Sequence, residues 1–89
     1  MDRCQVVNSQ VVTESDTAKH VFASQPCMYV LFQAGTNTSP VTIMGAGQTA
    51  GISLASGAFS PLIGPIQNLS QWAYQFAHSG DTLNVVVLS

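Results

Sequence analysis

The chain has 89 residues, of which 46% are apolar and only 7% charged, with a net charge of -2 at neutral pH. That length supports one small core, and the charged fraction lies far below the roughly 25% of ordinary soluble domains, so the surface must be unusually neutral. Two basic side chains offer no cationic stripe for phosphates, which argues against nucleic acid, and the longest apolar run, "CMYVLF", is six residues where a membrane-spanning helix needs about 20.

Taken in chain order, the pattern is strand throughout. "QVVNSQVV" (5–12) and "AKHVFA" (18–23) are candidate strands, with residues 1–16 read either as an N-terminal arm or as an edge strand. "MYVLFQA" (28–34) sets Met28, Val30, Phe32 and Ala34 on one face, and "VTIM" (41–44) alternates Val41 and Ile43 with Thr42 and Met44. "GISL" (51–54) and "AFSPLI" (58–63) are shorter and interrupted by Gly and Pro. In 71–78, Trp72, Tyr74, Phe76 and His78 point one way and Gln71, Ala73, Gln75 and Ala77 the other. "LNVVVL" (83–88) is apolar on both faces, as in a strand covered on both sides. The intervening "GTNTSP", "GAGQTAG", "ASG" and "GPIQN" carry turn chemistry. The expectation is a single all-β domain over 1–89, a small antiparallel β-sandwich or barrel of about seven short strands with little helix.

Charge is distributed unevenly. Asp2, Arg3, Glu14, Asp16 and Lys19 precede residue 20, and from His20 to Ser89 only Asp81 is charged. A soluble surface so poor in charge and so rich in Ser, Thr, Gln, Asn and Ala is expected to lie against other protein. The N-terminus lacks the uninterrupted apolar stretch of a signal peptide, which predicts a mature chain starting at Met1. Without secretion, Cys4 and Cys27 are expected to be free thiols. The alternative, one bridge between them, would contribute about 3 kcal/mol.

The chemistry-bearing motifs are weak. His78, Ser79 and Asp81 are the residue types of a hydrolase triad, but adjacent strand residues diverge. "SGD" therefore reads as a hairpin in which Gly80 supplies a positive φ and Asp81 bonds to nearby backbone. "MGAGQTAG" (44–51) is spaced GxGxxxG, one residue longer than the dinucleotide fingerprint, and no amphipathic helix follows. His20 and His78 are too isolated in sequence to suggest zinc. Asn37 and Asn68 open glycosylation sequons that carry little weight without secretion. Trp72, Tyr74 and Phe76 read as sandwich core, with a sugar-stacking platform as the alternative, and Phe59 as an exposed or intersubunit aromatic. No catalytic, cofactor-binding or metal-binding residue is assigned, and no cofactor is expected.

From residue 17 onward the order of features resembles small virion proteins of tailed bacteriophages, particularly head decoration or cement proteins. The matching stretches are "TAKHV", "CMYVLFQAGTNTSPVTIMG", "GISLASGAFSPL" and "LSQWAYQFAHSGDTLNVVVL". The resemblance implies a β-sandwich or barrel without catalysis, made in the host cytoplasm and arrayed on the capsid surface of the virion. Its partners would be the major capsid protein and further copies of itself, as a trimer where three capsid subunits meet. In such proteins the segment after Gly57 is often acidic, whereas here it is "AFSPL". A carbohydrate-binding or adhesion module of a phage tail or fibre is the alternative.

Overall fold

The computed structural model describes residues 6–88, the side chain of Val7 excepted. Seven strands form two antiparallel sheets: β1 (Val6–Thr13), β2 (His20–Val21), β3 (Tyr29–Ala34), β4 (Val41–Gly45), β5 (Ile52–Leu54), β6 (Trp72–Phe76) and β7 (Thr82–Leu88). One sheet has the order β1-β7-β3 and the other β2-β6-β4-β5. The sheets pack face to face as a β-sandwich, and one 3-10 turn, Leu69–Gln71, precedes β6.

Period-two patterning explains the packing. On β7, Leu83, Val85 and Val87 are fully buried, and they meet Val30, Phe32 and Ala34 of β3 on the same inner face. The opposite sheet contributes Val41, Ile43, Leu54, Tyr74 and Phe76. Phe22 joins the layers: its ring centroid lies 5.3 Å from that of Phe32 and 4.7 Å from that of Tyr74, within the range in which aromatic pairs attract beyond their area.

Several expectations need correction. The chain does not form a hairpin at "SGD", because β6 and β7 belong to different sheets and the turn carries the chain between layers. Gly80 does have positive φ, at 87°, and a change of layer needs a tight turn as much as a hairpin does. Met28 precedes β3 and is 45% exposed rather than sharing the buried face of Val30. The outer face of β7, with Asn84, Val86 and Leu88, is half-buried, so this strand is covered fully on one side only. Trp72 is half-buried and packs against the core from its edge.

Residues 58–63 form no regular strand, since Pro61 lacks a donor, yet they run along the free edge of β3. Ala34 N donates to Ala58 O, Ser60 N to Phe32 O, and Val30 and Ile63 exchange both bonds, all at 2.8–3.0 Å. The Ser60 hydroxyl accepts from Phe32 N at 3.0 Å and is itself buried, replacing a carbonyl that the irregular segment cannot align. Among the described residues, the only pair of strands adjacent both in sequence and in a sheet is β4–β5. There a β-carbon at Gly51 would collide with the Ile43 carbonyl.

Because Phe32 is fully buried between the layers, Phe32→Ala should lower stability by about 3–5 kcal/mol. Half-exposed Trp72 should cost less, about 2 kcal/mol for Trp72→Ala. Urea denaturation of both variants checks the order; an equal loss would place Trp72 in the core proper.

Candidate functional site

The triad residues do not assemble as a triad. His78 Nδ1 faces the Ser79 carbonyl oxygen at 2.8 Å, not a hydroxyl, and lies 3.9 Å from Asp81 Oδ1. The Asp81 carboxylate is buried and accepts from Thr38 N at 3.0 Å and Ser39 N at 3.1 Å. Those backbone bonds, Thr38 first, hold its pKa below the ordinary 3.8, with the nearby His78 adding to the effect. Beside it, the Asn37 side chain receives Thr82 N and donates to Thr82 O, both at 2.8 Å. Asp81 and Asn37 together fasten the β3–β4 loop to the start of β7. Asn68, the other sequon asparagine, caps the 3-10 turn, accepting from Ser70 N and Gln25 N.

The glycine-rich loop is likewise used internally. Ala46 N donates to Gln71 O and Gln48 N to Gly45 O, while Ala46 O and Gln48 O both receive the Lys19 ammonium at 2.6 Å. Its carbonyls face a cation, whereas a phosphate cradle turns free N–H groups inward. The pattern is that of a braced hairpin loop.

One cluster was not legible in the sequence. The β1–β2 loop brings Glu14 and Asp16 to His20: Nε2 lies 2.7 Å from Asp16 Oδ1 and 3.6 Å from Glu14 Oε1. Tyr74 donates its hydroxyl to Glu14 Oε2 at 2.6 Å, and its ring stacks on His20 with centroids 5.6 Å apart. The Asp16–His20 spacing was a visible signal, but Tyr74 lies 60 residues from Glu14. The three ligand-type atoms fall within 4.8 Å of one another. Two ligands on a tetrahedral divalent ion with bonds near 2.1 Å would stand roughly 3.4 Å apart, so the 2.7 Å separation is that of a shared proton. The cluster works as an ionic clamp closing the β1–β2 loop.

A shallow cleft of about 440 Å3 lies at the start of β6, lined by Gly45, Pro65, Ile66, Gln67, Gln71 and Trp72. It carries no ionisable group. Gln71 Oε1 accepts from Gln67 N and Asn68 N at 3.0 and 3.2 Å, which orients the Gln71 side chain in the cleft wall.

Surface composition is the strongest feature. With Asp81 buried, the other formal charges among the described residues are exposed Asp16 and half-buried Glu14 and Lys19. Meanwhile Val6, Val11, Val21, Met28, Ile52, Phe59 and Leu62 are large, apolar and 37–64% exposed. Cys27 is a free, buried thiol whose pKa is raised by desolvation. Cys4 lies outside the described residues, as do Asp2 and Arg3.

The clamp has a defined pH window. The hydrogen bond to Asp16 raises the His20 pKa above its ordinary 6.5, against desolvation. The same bond lowers that of Asp16 below 3.8. The histidine's contribution is therefore complete below pH 6.5 and lost as pH rises through the folded value. The aspartate's is present above pH 3.8 and lost as pH falls through its own folded value. In an NMR titration, His20 should show a midpoint above 6.5 that falls in Asp16→Asn; a midpoint unmoved by the substitution would contradict the clamp. Comparison of the chain with protein-family models, curated proteins and solved structures finds no match.

Proposed function

We propose that the protein is a non-enzymatic structural component of a tailed-phage virion, decorating or cementing the capsid lattice through contacts with the major capsid protein and with copies of itself. The observation that carries this reading is the neutral exterior. Outside the 14–19 loop the described surface has no outward-facing formal charge, yet it exposes seven large apolar side chains. A surface of that kind is suited to being covered, because buried interface centres disfavour unpaired charge and favour aromatic and aliphatic anchors.

Phe59 is such an anchor. It is 62% exposed and projects from the irregular segment that borders β3 at Gln33. On a lattice, three copies around a threefold axis would match the symmetry of the site they occupy.

A second reading, a carbohydrate-binding or adhesion module, rests on the cleft beside Trp72. An indole edge with Gln67 and Gln71 and no charge is chemistry that suits a neutral polyol.

Phe59→Asp discriminates between them. Its side chain is exposed, so melting should stay near wild type, while co-sedimentation with undecorated capsids should weaken at least tenfold, about 1.4 kcal/mol. Unchanged capsid binding would remove Phe59 from the interface. Loss of glycan binding in Trp72→Ala, with capsids bound by neither protein, would favour the adhesion reading.

A further inference from the structure

The segment between β1 and β2 leaves the three-stranded sheet at Thr13 and enters the four-stranded one at His20, so it ties the two layers together. Glu14 is anchored twice: its carbonyl accepts from Gly80 N at 2.9 Å, and its carboxylate accepts from the Tyr74 hydroxyl of β6. Ser15, Asp16, Thr17 and Ala18 are all exposed. What holds this exposed stretch down is Gln75 Nε2, donating to Thr17 O at the surface, and the contact of Asp16 with His20. Lys19 follows directly, with its ammonium on Ala46 O and Gln48 O of the β4–β5 loop.

The electrostatics of this segment turn on one proton. Glu14, Asp16 and His20 bring their polar atoms within 4.8 Å of one another, and both carboxylates approach the same nitrogen, Nε2. Among the described residues, the groups facing the imidazole are those two carboxylates and the Tyr74 phenol, whose ring stacks on it from β6. Burial, helped by the bond to Glu14, pushes the phenol pKa well above its ordinary 10, so it acts only as a donor. The Lys19 ammonium is turned to the other loop. A protonated imidazole is therefore the one positive charge between two anions. A neutral ring can still donate one hydrogen bond to Asp16, but the carboxylates then repel across a short gap with nothing to offset them. Asp16, exposed and otherwise bonded only to Ala18 N of its own loop, is the group that can leave.

We propose that residues 14–20 form a proton-operated latch: protonated His20 holds the β1–β2 loop closed and, through Lys19, braces the β4–β5 loop, and loss of that proton releases both. The bond to Asp16 raises the His20 pKa above 6.5, so the latch is closed below pH 6.5 and opens as pH rises through the folded value. At the acid end it holds until Asp16 takes up a proton, below 3.8. The proposal rests on this cluster and does not depend on the virion reading.

Lys19 reports on the latch directly. It is the chain's one lysine, and trypsin can cut the Lys19–His20 bond only after the ammonium leaves the Ala46 and Gln48 carbonyls. At low protease the cleavage rate follows the population of the open loop. Dividing it by the rate for a peptide of the same sequence around Lys19, at the same pH, removes the pH dependence of trypsin itself. For the wild-type chain the normalised rate should rise roughly fivefold or more from pH 6 to pH 8.5. His20→Gln should be cut fast at both pH values, and Asp16→Asn should lose most of the rise. In NMR spectra the Gly47 and Gln48 amide resonances should titrate with the His20 midpoint and cease to do so in Lys19→Gln. A flat wild-type rate, a rise that survives in His20→Gln, or Gly47 and Gln48 resonances indifferent to the His20 titration would overturn the proposal. Hydrogen exchange at Val30 and Val85 separates local release from unfolding: protection lost there in step with cleavage would overturn it as well.

Discussion

A sandwich whose chain changes layer at most of its connections depends on fastening its loops, and here several polar side chains do that from within. Asp81 and Asn37 hold the β3–β4 loop against β7. Lys19 braces the β4–β5 loop, and Asn68 with Gln71 forms a capping box around the 3-10 turn. Ser60 completes the β3 edge where proline interrupts it. Each neutral bond of this kind contributes about 1 kcal/mol, and a buried group left unpaired would cost about 1–3 kcal/mol. Among the described residues no buried side-chain polar atom lacks a partner.

The neutral exterior follows from that internal use. The chain has six charged side chains in all. Lys19 is turned onto carbonyls, Asp81 onto amides, and Glu14 and Asp16 onto one imidazole. Among the described residues little charge remains to repel a neighbour, so exposed valines and Phe59 face outward without the charges that normally keep such features apart.

The strands were legible because alternation writes burial directly into sequence. Val30-Phe32-Ala34 and Leu83-Val85-Val87 are fully or almost fully buried as their spacing requires. Sheet membership was not legible: "SGD" has the chemistry of a tight turn, and the same Gly80 geometry serves a hairpin or a change of layer. The deciding contacts, Asp81 with Thr38 and Ser39, span more than 40 residues. The ionic clamp was hidden likewise, since Tyr74 reaches Glu14 from across the sheet. Trp72 reads as core by period, but its place at the start of β6 leaves the ring at the rim of the sandwich.

The central proposal is that copies and partners would meet through uncharged surface. Sedimentation velocity of the full chain at roughly 0.05 M and 1 M salt tests it most directly, because screening weakens ionic contacts over that range and leaves apolar contacts intact. The account predicts association that persists or strengthens at high salt. A monomer at all concentrations, or an oligomer that dissociates as salt rises, would contradict it.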